Sequence, residues 1–317
     1  MTSTWMTQLR RVGLPMALAL LAAACGGGGQ GGHEGPLYTS QRYSDQEITS
    51  HTDVVYSVRP NEGGQFSDDE TKVQELAAPS LSLRLDVHVP PGANASSRRP
   101  LLLWIHGGGL VEGSKGVLKP FALTYTRAGY VVAMADYRLT PRLAGNPTLY
   151  EHVMRQAAED SMNAVRWLRV HAADYGIDPD RIALMGYSSG GAVVLTHAIA
   201  ADELDTAVSD QPGVSSRVSG VVSTGATLVN TAWDSDAVLH YDAKDAQVML
   251  MHADPNDPVT HTTWDGNVLP SKSRVDTSGN RCDAVAQPDG SHMADITQGG
   301  AFSTSIDPFL QRVLRLP

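Results

Sequence analysis

Two adjacent serines, Ser188 and Ser189, sit among glycines in Gly186-Tyr187-Ser188-Ser189-Gly190, which fits G-x-S-x-G in one register only, with Ser188 at the centre. A serine on a tight strand-to-helix turn is held in strained backbone geometry with its hydroxyl exposed, and small flanking residues let strand and helix approach. Ser188 is therefore the candidate nucleophile. Ser189 is the residue whose backbone N–H, at the helix start, would face a developing oxyanion.

A second chemical signal is His106-Gly107-Gly108-Gly109, inside WIHGGGLVEGSKG. Glycines in a concave turn expose backbone N–H groups and suit a negatively charged oxygen. A phosphate-binding loop is the rival reading, because Gly108 and Gly113 have its glycine spacing. That loop needs Lys and then Ser or Thr next, and here Ser114 precedes Lys115.

These motifs need elements that place them together. Residues 53–58 form a short β-rich run, and Leu81, Leu83, Leu85, Val87 and Val89 alternate as in a half-buried strand. Both read as opening antiparallel strands. Residues 101–105 and 130–135 are continuous apolar runs, as in strands buried on both faces of a parallel sheet, with a crossover helix over 120–128. Residues 150–175 carry apolar side chains at helical spacing up to Gly176. Asp178-Pro179-Asp180 then reads as a turn, 182–185 as a strand and 191–200 as a helix. Later strands are predicted at 218–222, 247–251 and 281–286, with a closing helix at 307–314. Ser67 and Glu70 suggest a capping box and a short helix between 62 and 79. The alternation predicts one α/β domain with a mostly parallel sheet and helices on both faces. The segment between Ser223 and Gln247 is too short for a large lid, so a minimal lid is expected.

The 317 residues carry a net charge of −10, which becomes more negative if Arg10 and Arg11 are removed with a leader. Such a surface repels nucleic acid and anionic headgroups. Residues 1–25 have the layout of a secretory signal: Arg10 and Arg11, an apolar run, and small residues before Cys25. The run is shorter than the about 20 apolar residues that span a bilayer. Ala22-Ala23-Ala24-Cys25, followed by a Gly-rich linker over 26–36, resembles a bacterial lipoprotein processing site, which implies lipidation at Cys25; the plainer alternative is a signal cut nearby. The chain is thus expected to be exported, as a lipoprotein anchored at the periplasmic or cell surface or otherwise as a secreted protein, with the catalytic domain over 37–317. With Cys25 lipidated only Cys282 remains, so no internal disulfide is expected. Without CxxC, HExxH or paired His and Cys spacing, no metal site or other cofactor is expected.

HGGG, ADYRLTP from Ala135, AVRWL from Ala164, and YGIDPDRIALMGYSSGG from Tyr175 together resemble the serine esterases of the α/β-hydrolase fold. Within them the chain is similar to the HGGG-bearing group that includes hormone-sensitive-lipase-like and type B carboxylesterases. The resemblance implies Ser188 as nucleophile, Gly107, Gly108 and Ser189 as oxyanion donors, and then an acid and a histidine in that order. HADPNDPV offers Asp257, before Pro-Val, with Asp254 as the alternative acid; PDGSHMAD offers His292. His106 reads as structural in the oxyanion turn, and His252 and His261 as packing or surface residues. Tyr187 and Ser189 stand where close relatives carry an acid and an alanine.

The implied chemistry is acyl transfer through a Ser-His-Asp triad and an acyl-enzyme, on small or short-acyl esters, with the rate falling in acid as the imidazole base is protonated. An amide hydrolase of the same fold and a non-catalytic binding module are the alternatives.

Overall fold

The computed structural model describes residues 35–60, 80–140, 147–203, 209–228 and 241–317. The leader, Cys25, most of the Gly-rich linker and the short helix expected between 62 and 79 lie outside them, as does part of the segment expected to leave only a minimal lid.

Among the described residues, eight strands form one sheet. Strands β1 (Thr49–Pro60) and β2 (Ser80–Val89) open it, and β2 pairs antiparallel with both β1 and β4 (Val131–Ala135). From β4 the pairing is parallel through β3 (Arg99–Ile105), β5 (Ile177–Tyr187), β6 (Gly220–Thr224), β7 (Gln247–Ala253) and β8 (Cys282–Gln287).

The continuous apolar runs follow from this position, because successive side chains of a strand face opposite layers. Leu101, Leu103 and Ile105 pack under α2 (Pro147–Val170), α3 (Ser189–Ala200) and α4 (Leu269–Thr277). Leu102 and Trp104 pack under α1 (Lys119–Arg127) and α5 (Ser303–Val313). Helices thus cover both faces, and all described residues belong to one unit, Gly35–Pro317.

Several elements differ from expectation: β1 begins at Thr49 and the closing helix at Ser303, both four residues early. Helix α2 ends at Val170, not Tyr175. Past it the chain tightens to shorter bonds, Ala172 N–H to Arg169 O and Asp174 N–H to His171 O, while the His171 ring stacks on Trp167. Asp178-Pro179-Asp180 does turn, with Asp180 N–H on Asp178 Oδ1, but as a bulge inside β5: Arg99 pairs with Ile177 and Leu101 with Ile182. Helix α4 has no apolar repeat in the sequence, since only Ser271 and Val275 of it are buried.

Every parallel strand points its C-terminal end to the same edge. The HGGG loop leaves β3 there, the serines leave β5, Asp257 follows β7 and His292 follows β8, so residues far apart in sequence meet.

Candidate active site

Ser188 joins β5 to α3 at φ 54° and ψ −127°, a conformation that L-residues avoid. Two backbone bonds hold it: its N–H donates to Thr224 O at 2.8 Å, and its carbonyl accepts from Ala192 N–H at 3.1 Å. Gly190 allows the turn to press against β3, since a Cβ there would lie 2.3 Å from Ile105 O.

His292 Nε2 lies 2.9 Å from Ser188 Oγ, and His292 Nδ1 lies 2.7 Å from Asp257 Oδ2. An ionised carboxylate only accepts, so the ring proton sits on Nδ1 and the Nε2 lone pair faces the serine hydroxyl. Asp257 Oδ1 accepts the N–H groups of Val259 at 2.8 Å and Thr260 at 2.9 Å. Burial alone would raise this carboxyl, but the bonds from His292, Thr260 and Val259 and the His292 charge outweigh it and hold it at about 2. The acid is therefore ionised wherever the protein is folded at ordinary pH.

Asp254 stands at the end of β7 with its N–H on Gln287 O, and no hydrogen bond joins its carboxylate to His292. The structure brings Asp257, rather than the alternative acid, to the imidazole. His261 is exposed, with its N–H on Asp257 O. His252 is fully buried beside the acid.

The HGGG loop crosses beside the serine turn. His106 is buried, stacks on Tyr137 at 4.3 Å, and places Nδ1 2.8 Å from Gly107 O, while the Tyr137 hydroxyl donates to His106 O at 3.0 Å. Gly107 lies against the Tyr187 ring: a Cβ on it would be 2.7 Å from Tyr187 Cε2. Gly108 O accepts from the N–H groups of Val111 and Glu112. At the far end, Lys115 N–H donates to Asp136 Oδ1, and the Lys115 ammonium pairs with Asp53 at 2.8 Å and Asp86 at 2.9 Å. The loop is thereby fastened to the antiparallel end of the sheet. Ser189 begins α3 directly after Ser188.

Sequence reasoning passed over Thr224 and Gly225, at the end of β6. Thr224 O takes the Ser188 N–H, and Thr224 Oγ1 takes the Ala294 N–H at 2.7 Å, so one residue ties the serine turn to the histidine loop. Gly225, at φ +74°, lies directly against His292. The glycine at a strand end in VVSTGAT was the available signal. Among the described residues, no group of three His, Cys, Asp or Glu is placed to hold a metal ion.

Sheet order, edge placement and the serine-bearing turn together define the α/β-hydrolase fold. The BD-FAE family model matches residues 85–264, more than half of the chain, and the chain belongs to that family. Among curated proteins, the pyrethroid hydrolase Ces2a of Mus musculus is 31% identical over 199 residues, covering 57% of this chain and 35% of that protein. Esterase LipI of Mycobacterium tuberculosis is 32% identical over 130 residues, covering 39% of this chain and 37% of that protein. The chain thus spans little more than a third of the length of these relatives. Among solved structures, Thermogutta terrifontis esterase 2 phosphorylated by paraoxon has a TM-score of 0.62 at 21% identity, covering 83% of this chain and 94% of that one. The butyrate-bound form of that esterase has a TM-score of 0.60, also at 21% identity, covering 74% of this chain and 90% of that one.

Proposed function

We propose that this chain is a serine carboxylesterase that hydrolyses small or short-acyl esters, with Ser188 as nucleophile, His292 as general base and acid, and Asp257 as the acid that orients it. The observation that carries the proposal is the hydrogen-bonded series Ser188–His292–Asp257, built on a serine at positive φ. Esterases among the relatives support it, and the butyrate complex of the fold relative supports a short acyl group.

In this reading Ser188 Oγ attacks the ester carbonyl carbon while its proton passes to His292 Nε2. The carbonyl oxygen becomes an oxyanion facing the N–H groups of Gly107, Gly108 and Ser189. Collapse breaks the bond to the alcohol, which leaves with the proton from His292, and an acyl-enzyme on Ser188 remains. Water then attacks, His292 takes its proton, and Ser188 and the carboxylic acid are released. Asp257, ionised throughout, stabilises the imidazolium formed in both steps.

The test is labelling with a fluorophosphonate and peptide mass spectrometry, beside turnover of p-nitrophenyl butyrate and its matched anilide. The expected result is an adduct on Ser188, none in Ser188→Ala, and faster turnover of the ester. An adduct on Ser189, or none, overturns the nucleophile; faster anilide turnover replaces esterase by amidase. We further propose export of the chain with a lipid anchor at Cys25. Metabolic labelling with a fatty acid, absent in Cys25→Ser, tests it.

A further inference from the structure

His252 is the penultimate residue of β7, and its imidazole is shut off from solvent. A buried ring of this kind is costly unless both nitrogens have partners. Nδ1 lies 2.9 Å from Ala253 O. A carbonyl only accepts, so Nδ1 carries the proton and Nε2 presents a lone pair. Thr262 Oγ1, 2.7 Å from Nε2, must therefore donate to it. That spends the single hydroxyl proton of Thr262, so its 2.7 Å contact with Thr260 Oγ1 is donated by Thr260. The chain of bonds runs one way: Thr260 to Thr262, Thr262 to His252, His252 to Ala253 O.

The same threonines hold the acid. Thr260 N–H, with that of Val259, binds Asp257 Oδ1, and Asp257 N–H donates to Thr262 O at 2.8 Å. His252 Nε2 is also 3.8 Å from Asp257 Oδ2, the oxygen that receives the proton of His292 Nδ1. In the tautomer fixed by Ala253 O, that nitrogen has no proton to offer the carboxylate. It therefore does not compete with His292 for Oδ2. The opposite tautomer would compete, would lose the bond to Ala253 O and would reverse the bond to Thr262.

We propose that His252, held as its Nδ1–H tautomer by Ala253 O and accepting from the Thr260–Thr262 hydroxyl pair, is a positioning residue that keeps Asp257 in place and reserves its Oδ2 for His292. The inference rests on the Ser188–His292–Asp257 reading above. His252 acts only through Asp257, and that sets it apart from a histidine that merely fills space.

The experiment compares His252→Phe, His252→Gln, Thr262→Val, Asp257→Asn and the His252→Phe/Asp257→Asn pair in the full chain, by kcat, KM and thermal unfolding. Removing a member of a coupled hydrogen-bond series predicts a kcat lower by about 10-fold in His252→Phe, with KM within about twofold. Thr262→Val, which removes the donor but keeps the shape, follows it. His252→Gln, whose Oε1 can accept from Thr262, recovers most of the loss. In the Asp257→Asn background His252→Phe costs nothing further, because the group it positions is already disabled. A folded His252→Phe with wild-type kcat overturns the inference, as does a loss that persists in full beside Asp257→Asn. If His252→Phe does not fold, a wild-type kcat in Thr262→Val overturns it instead. Wild-type turnover in Asp257→Asn alone defeats the triad reading, and the inference with it.

Discussion

Alanine at position 225 puts a methyl group where the histidine loop already stands. A Cβ on Gly225 would lie 2.5 Å from His292 O, 2.8 Å from its Cε1 and 3.0 Å from its Nδ1. Ordinary contact begins at 3.4 Å, so the loop must withdraw by up to about 0.9 Å, at the His292 carbonyl. His292 Nε2 is now 2.9 Å from Ser188 Oγ, and withdrawal of that size takes the pair past hydrogen-bonding range. Misplacement of reacting groups by ~1 Å costs ~100-fold, so kcat should fall 10- to 100-fold in Gly225→Ala. The residue also holds φ +74°, which costs an alanine about 1–2 kcal/mol whatever surrounds it. Gly213 separates the two effects: it has φ +82° with nothing within 4 Å of its Cβ position. Gly213→Ala should therefore lose a few degrees of Tm and keep its turnover. Ester turnover and thermal unfolding of both variants decide the matter. If Gly225→Ala turns over as fast as Gly213→Ala, the contact with Gly225 does not set the geometry of His292 against Ser188.

His88 is buried on β2, with Nδ1 2.7 Å from Ser50 Oγ, and burial pushes its imidazole down to about 4 from 6.5. The unfolded chain takes up this proton near pH 6.5 and the folded chain only near 4, so stability falls as pH drops across that window. The loss is on the order of 3 kcal/mol, read by urea unfolding at pH 7 and 4, and a His88→Gln variant should show a flatter dependence; an equal slope would contradict the assignment. Asp257, held at about 2 against an ordinary 3.8, contributes stability that is present above 3.8 and lost as pH falls through 2. The stability gap between wild type and Asp257→Asn should therefore narrow from pH 5 to pH 2, and a constant gap would refute it. Burial pushes the Cys282 thiol up to about 12. Its peptide should take up N-ethylmaleimide at pH 8 only after unfolding, and labelling of the native protein would refute its enclosure.

The parts of this molecule legible in its sequence are those fixed by local periodicity. The alternation in β2, the unbroken apolar runs of β3 and β4, and Ser188 between a strand and a small-residue helix each declare a strand or a turn without reference to distant residues. Helix α4 does not, because it rests on a rim and buries too little to leave a period. The residues alone do not separate Asp254 from Asp257, and the resemblance only favours Asp257 for its place before Pro-Val. Both precede proline, and counting along the chain treats them alike. The geometry is decided where the segment closes on itself, through the Asn256–Thr263 bridge, Asp257 N–H on Thr262 O, and Trp264 N–H on Pro255 O. That closure turns the Asp257 carboxylate inward, while Asp254 stays at the strand end, tied to β8. The pairing of β7 with β8 then determines where His292 arrives, 35 residues from the acid and 104 from the serine. Separations of this size leave no local signature, and neither does the dependence on Thr224 and Gly225 from a third strand. Ser188 is marked by five consecutive residues, whereas His292 and Asp257 meet it only when parallel strands bring four loops to one edge.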